Sequence, residues 1–118
     1  MKIYIAGPMT GLPDYNRAAF YLAADNLKKQ GHIPKHTAWI VDGLDRADYM
    51  RNSIELMLTC DAIFLLNGWK DSLGAKVEKS IADVCGLQII EEDEENREYC
   101  RMEELKEELT DAGCYGWM

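Results

Sequence analysis

The chain has 118 residues, of which 47% are hydrophobic and 29% charged, so it suits one compact domain and is too short for two ordinary ones. Its apolar runs fall short of the roughly 18 residues that cross a bilayer, and the apolar stretch after Lys2 is too short for a secretory signal. We therefore expect a cytoplasmic protein without a membrane partner. The net charge of −8 argues against nucleic acid as a partner, because phosphate binding needs a basic surface.

The first predicted elements are two strands with a helix between them. Residues 3–6 form a continuous apolar run, which is typical of a strand buried on both faces of a parallel sheet. Asn16 is predicted to cap the following helix and Gly31 to end it. The apolar face of that helix comprises Ala19, Phe20, Ala23 and Leu27. Residues 32–34 are predicted to form a short second strand.

A long loop and a second helix follow. Residues 35–47 lack periodicity and are predicted to form a loop that can cover a site. Asp48 is predicted to cap the next helix, with Arg51 and Glu55 paired on its outer side. The predicted apolar face of this helix comprises Met50, Ile54, Met57 and Leu58.

The next predicted elements are a strand over 62–66, a loop over 67–73, a helix over 74–85 that Gly86 ends, and a strand over 87–90. The βαβαβαβ order predicts a small three-layer α/β domain of the flavodoxin or Rossmann type. Its parallel sheet would have four to five strands joined by right-handed crossovers.

The whole negative charge lies at the C-terminal end. Residues 91–118 hold 11 Asp+Glu against three Lys+Arg, a net of −8, so residues 1–90 are neutral overall. We divide the chain into an α/β domain, residues 1–90, and an acidic tail, residues 91–118. Met102, Leu105 and Leu109 recur in the tail at helical spacing. The tail is predicted to be either a solvated helix packed by one thin apolar stripe or a docking element for a second subunit.

The sequence favours neither a metal nor a cofactor. The four cysteines are far apart without a CxxC pair, and we expect Cys60 and Cys85 to be buried free thiols. His32 and His36 are not in a cluster with metal-ligand spacing. The loop after the first strand, residues 7–13, does not match GxGxxG, and GxxxxGK[ST] is absent. Nicotinamide, flavin and ATP-hydrolysing phosphate-loop sites are therefore disfavoured.

Glu78 is the main candidate for chemistry. On the helix over 74–85 it falls inside the apolar arc, between small residues, where a carboxylate is costly unless something compensates it. The nearby helix N-terminus would help to keep it ionised. An ionised, half-buried carboxylate beside a cleft at the strand ends suits a nucleophile for an electrophilic carbon. The alternative is a glutamate whose stem packs while its head reaches water or caps backbone amides.

Other candidates lie in the two loops that should border a ligand at the carboxyl ends of the strands. Ser72 and the amides near Gly74 can bind a phosphate or a sugar hydroxyl, although Ser72 can equally be a plain helix cap. Trp69 can stack on a base or simply close the core.

At this level of detail the sequence resembles the nucleoside 2-deoxyribosyltransferase-like proteins, and in particular small members found in phages and bacteria. The resemblance covers about residues 2–90. Each matching stretch is weak evidence alone, and the combination of all of them is specific. It is carried by YIAGPMTG at 4–11, DYNRAAF at 14–20, YMR at 49–51, CDAI at 60–63, GW at 68–69 and SLGAKVE at 72–78.

The resemblance implies a role for each matching residue. Glu78 would attack the anomeric carbon of a 2′-deoxyribonucleoside or its 5′-monophosphate, and a new base or water would complete a retaining displacement. Tyr4 would lie beside that carboxylate, and Ser72 would contact the sugar or phosphate. The further substrate contacts would be Gly7, Pro8, Met9, Asn16, Ser53, Trp69 and Gly74. A homo-oligomer in which a neighbour helps to complete the site is implied as well.

One position departs from the family pattern. Where related enzymes place an aspartate that helps to protonate the leaving base, this chain has Ser53. A serine cannot act as a general acid near neutral pH. The departure leaves a second hypothesis open, a catalytically weak module that sequesters a nucleoside-derived ligand. A third hypothesis is an interaction protein that uses the acidic tail.

Overall fold

The computed structural model describes residues 1–40 and 43–92. In chain order the elements are strand β1 (Lys2–Ala6), helix α1 (Arg17–Lys29), β2 (Ile33–Lys35), α2 (Arg46–Met57), β3 (Ala62–Leu65), α3 (Leu73–Val84) and β4 (Gln88–Glu91). Short 3₁₀ turns cover Pro13–Asn16 and Trp69–Asp71. The acidic tail and its predicted helix lie outside the described residues. None of the described helices is both long and apolar enough to span a membrane.

The four strands form one parallel sheet in the order β2-β1-β3-β4. The apolar runs are buried on both sides, as predicted, and alternate residues serve different cores. Ile3 and Ile5 pack with Phe20 of α1, whereas Tyr4 and Ala6 pack with residues of α2 and α3. One helix therefore covers one face and two cover the other, which confirms the three-layer α/β prediction.

Local signals placed the ends of α1 and α3 correctly. Gly31 and Gly86 have φ of +88° and +80°, a left-handed conformation that glycine adopts without a Cβ clash. The amides of the next residues, His32 and Leu87, donate back to Leu27 and Ala82. Both helices thus end in the Schellman arrangement that a glycine stop predicts.

The helix starts are less well predicted. Asp45, not Asp48, caps α2: its Oδ1 accepts from the Asp48 amide at 2.8 Å. Both positions carry aspartate, and a cap signal alone does not decide between two candidates three residues apart. Asn16 adopts a left-handed conformation and makes no side-chain cap, because its amide group donates to the Pro8 carbonyl at 3.0 Å.

Several predicted side-chain environments are also wrong. Leu58 is 49% exposed, whereas Met57 is buried as predicted and Ser53, which was not assigned to this face, is buried as well. Arg51 pairs with Asp48 at 3.5 Å rather than with Glu55. Cys60 is buried as expected, but Cys85 is exposed. Cys85 and Leu58 directly follow the last residues of their helices, where the helical period no longer governs which side faces the sheet.

Candidate functional site

A cleft of about 760 Å³ opens at the carboxyl edge of the sheet. It lies where β1 leads to α1 on one face while β3 leads to α3 on the other, the topological switch point at which open α/β sheets bind ligands. The described residues that line it come from β1 and the loop after it, from the start of α1, from Thr37, Ile40 and residues 43–46, and from α2 and the start of α3. Its volume suits a small-molecule ligand.

Glu78 lies in the wall of this cleft and is only 6% exposed. The helical period correctly places it on the inner side of α3, with Ala75 and Ala82 as its buried neighbours. The two valines at one edge of the predicted apolar arc are exposed, Val77 to 38% and Val84 to 88%. The buried face of α3 is therefore centred closer to Glu78 than the distribution of its hydrophobic residues predicts.

Burial decides the charge state of Glu78. Removal from water raises its pKa from 4.5 to about 7, although hydrogen bonds from Tyr4 and Ser53 act to lower it. The helix N-terminus does not offset the burial, since Glu78 is the sixth residue of α3 and the dipole effect fades after the first turn. Near neutral pH this carboxyl can therefore serve as a nucleophile when ionised or as an acid when protonated.

Tyr4 holds the Glu78 carboxyl in place. Its hydroxyl donates to Glu78 Oε2 at 2.5 Å. No backbone amide of the described residues donates to this carboxyl, so the bond to the Tyr4 side chain replaces the amide-capping alternative that the sequence left open. Burial, followed by the neighbouring Glu78 charge, raises the pKa of Tyr4 well above 10, so the phenol remains a donor at neutral pH.

Further hydroxyl groups lie beside Tyr4 in the cleft wall. The buried Thr37 hydroxyl lies 2.6 Å from the hydroxyl of Tyr49, which donates to Met9 Sδ at 2.9 Å, so Thr37 is the donor to Tyr49. A line of polar groups therefore runs from Thr37 through Tyr49 of α2 to the loop after β1. Such a line fixes rotamers and restricts where a ligand can bind.

Replacing Tyr4 by phenylalanine is expected to raise the pKa of Glu78 further. The lost hydrogen bond favours the ionised carboxylate, and bonds to charged groups contribute about 1.5–3 kcal/mol, or about one to two pH units. A ¹³C NMR titration of the Glu78 carboxyl would measure it. Tyr21→Phe, a change on an exposed tyrosine of α1, is the control. An unchanged midpoint in Tyr4→Phe would contradict the assigned hydrogen bond.

The loop after β1 lies where the sequence placed it. Gly7, Pro8 and Met9 all line the cleft. A Cβ on Gly7 would lie 2.7 Å from Cβ of Leu66, so glycine is required for the close approach of this loop to β3.

The start of α3 also lines the cleft, through Ser72 and Gly74. Ser72 Oγ accepts from the Ala75 amide at 3.2 Å, so it is a helix cap as well as a wall residue.

Three predicted ligand contacts lie outside the cleft wall. Ser53 is fully buried beside the Glu78 carboxyl, and its hydroxyl donates to the Met50 carbonyl at 3.1 Å. Asn16 stabilises the loop after β1, because its side-chain amide donates to the Pro8 carbonyl. Trp69 packs against the core on the α2/α3 face, with the Lys70 ammonium 5.8 Å from its ring centroid. Of the two roles predicted for Trp69, packing against the core is therefore the one that the structure supports.

Sequence reasoning missed several lining residues, notably Tyr15, Arg17, Thr37, Arg46 and Tyr49. Tyr49 precedes Ser53 by four positions, so helical spacing could have placed the two on one face. Thr37 lies in the predicted loop without any periodic signal. Across the ranges 1–40 and 43–92, no group of three His, Cys, Asp or Glu side chains could hold a metal ion.

Comparison with known proteins places this architecture in a family. The model of DUF4406, described as a domain of unknown function, matches residues 1–91. The chain belongs to the DUF4406 family. No curated protein matches the sequence.

Among solved structures, this DUF4406 domain is similar to the "2-desoxiribosyltransferase from Leishmania mexicana", with a TM-score of 0.63 and 21% identity. The match covers 76% of this chain and 62% of that one, so the DUF4406 chain spans about three fifths of the enzyme. The likeness confirms the α/β fold that the resemblance implied.

Proposed function

We propose that this DUF4406 domain cleaves the N-glycosidic bond of a 2′-deoxyribonucleoside or its 5′-monophosphate. The proposal rests above all on Glu78, a buried carboxyl with a pKa of about 7 that faces the cleft at the switch point. The fold likeness to a structure named as a deoxyribosyltransferase supports the reaction class.

In the proposed reaction the ionised Glu78 attacks the anomeric carbon. The carbon–nitrogen bond breaks, and the base leaves with the bonding electron pair and takes up a proton from water. A glycosyl-enzyme ester remains, and an acceptor base or water then displaces Glu78 with net retention. Tyr4 orients the carboxyl through its bond to Oε2 during attack.

The charges around the cleft bear on the form of the substrate. The described lining residues include three carboxyl groups, Asp45, Asp71 and Glu78, against two guanidinium groups, Arg17 and Arg46. Arg17 is already paired with Asp14 at 2.7 Å. Asp71 precedes Ser72, where a phosphate would need the amides at the start of α3. We therefore favour the uncharged nucleoside over the monophosphate.

The burial of Ser53 supports a second candidate function. Ser53, which stands where the resembling deoxyribosyltransferases place an aspartate, is fully buried and donates to the Met50 carbonyl, so it is not placed to protonate a leaving base. A domain that binds a nucleoside-derived ligand without turnover is the alternative that this observation favours. A homo-oligomer also remains a prediction.

The test is to incubate the protein with each deoxynucleoside and deoxynucleotide, with and without an acceptor base, and to separate the products by chromatography. We expect released or exchanged base, and mass spectrometry should detect the deoxyribosyl ester on the peptide that contains Glu78. Ligand-dependent thermal stabilisation without any product would support the binding module instead. Absence of product from every compound, or full activity in Glu78→Ala, would exclude the proposed reaction.

A further inference from the structure

Three consecutive residues before α1 adopt a left-handed backbone. Asp14, Tyr15 and Asn16 have φ of 48°, 53° and 60°. Asp and Asn adopt this conformation more readily than other non-glycine residues, but for Tyr15 it costs about 1–2 kcal/mol relative to a right-handed conformation. A strained turn of this kind persists only where surrounding contacts hold it, and such turns concentrate at functional sites.

The contacts that hold this turn come from both of its sides. The Tyr15 amide donates to the Leu12 carbonyl at 3.0 Å, and the Asn16 side chain donates to Pro8 at 3.0 Å. On the C-terminal side of the turn, the Arg17 guanidinium donates to the Asp14 carboxylate at 2.7 Å and to the Ala38 carbonyl at 2.8 Å. The turn is therefore built into the loop that forms the cleft.

The turn brings the Tyr15 ring into the cleft wall. The side chain is 41% exposed, and the Arg17 guanidinium lies 5.2 Å from the ring centroid. The other aromatic lining residues in the described ranges are less exposed: Tyr4 and Phe20 are buried, and Tyr49 is half-buried with its hydroxyl bonded. Tyr15 is thus an aromatic surface that contributes little to the core.

We propose that the Tyr15 ring is the surface on which the base of the ligand stacks, an inference that rests on the proposed function. A planar heteroaromatic ring gains from stacking on a phenol whatever its hydrogen-bond pattern. The cation–π contact with Arg17 and the clamped backbone restrain the ring before binding, so little side-chain entropy is lost when the base arrives. The interaction fixes the base and leaves Glu78 to react with the sugar.

The test measures binding apart from turnover. In a full-length Glu78→Gln background, calorimetry would compare 2′-deoxyadenosine, thymidine, free adenine and 2-deoxyribose. Tyr15→Asn removes the ring yet suits the left-handed backbone, and Tyr15→Phe retains the ring. Tyr21→Asn makes the same change on a tyrosine of α1 that does not line the cleft. Unchanged melting temperatures would show that the variants fold.

We expect Tyr15→Asn to weaken binding of both nucleosides and of adenine by about tenfold or more, because a stacked base contributes about 1–3 kcal/mol. Binding of 2-deoxyribose should be unchanged, as should nucleoside binding by Tyr15→Phe and Tyr21→Asn. Nucleoside binding by Tyr15→Asn as tight as in the parent would overturn the proposal. An equal loss for 2-deoxyribose, or no binding of any base by the parent, would overturn it too.

The result of this binding test can be distinguished from the result for the proposed function, because the proposed function is tested by turnover in the wild-type protein. Tyr15-dependent binding of bases by a domain that releases no product would support the stacking role and remove the proposed reaction. Turnover by the wild-type protein, together with nucleoside binding that does not depend on Tyr15, would support the proposed reaction and exclude the stacking role.

Discussion

Glu78→Gln is expected to reduce deoxyribosyl transfer or hydrolysis by at least about 10³-fold. The amide has nearly the same shape and can accept the hydrogen bond from Tyr4, but it cannot form the glycosyl ester. Steady-state kcat/KM on the best deoxynucleoside would measure the loss. Glu55→Gln, the same change on an exposed residue of α2, is the control and should leave the rate unchanged.

The pH profile of the wild-type rate provides an independent check on this assignment. Because only the ionised carboxyl is nucleophilic, kcat/KM should rise with pH and reach half its plateau near the Glu78 pKa of about 7. A profile that is flat from pH 5 to 8, or a glutamine variant that retains the wild-type rate, would exclude Glu78 as the nucleophile.

Glu78→Gln is also expected to stabilise the domain above neutral pH, by up to about 3 kcal/mol. Folding raises the pKa of Glu78 from 4.5 to about 7, and each unit of pKa corresponds to about 1.36 kcal/mol. Below pH 4.5 the carboxyl is protonated in both the folded and the unfolded chain. As the pH rises towards 7 it ionises first in the unfolded chain, so the wild-type protein loses stability while the glutamine variant does not.

Urea denaturation of both proteins at pH 5, 6, 7 and 8 would measure this difference. We expect the smallest difference in free energy of unfolding at pH 5 and a growing advantage for the variant towards pH 8. The pKa values of His32 and His36 are lowered by burial, but both residues are present in both proteins and cancel in the comparison. A difference that does not change with pH would contradict the raised pKa. The expected trade of stability against activity is typical of a catalytic group.

The sequence predicted the elements well where the signal is local. Continuous apolar runs identified β1 and β3, and single glycines correctly ended α1 and α3. The helical period of α3 placed Glu78 on a buried face, because one amphipathic helix over a sheet follows its own periodicity. Errors occurred where two local signals compete, as with Asp45 and Asp48 for the cap of α2.

The site was predictable only in part, because its members are distant in the chain. Tyr4 and Glu78 were paired through the family resemblance, and the contact between them spans 74 residues. Thr37 and Tyr49 had no comparable signal, and the packing of the loop against α2 brings them together. The left-handed turn at Tyr15 occurs without a glycine, so local preference predicts the wrong conformation there.

By itself, therefore, the sequence determined the order of strands and helices, the neutral body with its acidic tail, and a carboxyl group among apolar residues. These properties depend on periodicity and composition, which are local. Only the tertiary structure decided that Glu78 titrates near neutral pH, that Ser53 is buried beside it, and that Tyr15 lies in the wall of the cleft. A pKa depends on how much water is excluded and a cleft on which loops meet, and both are fixed when distant segments pack together.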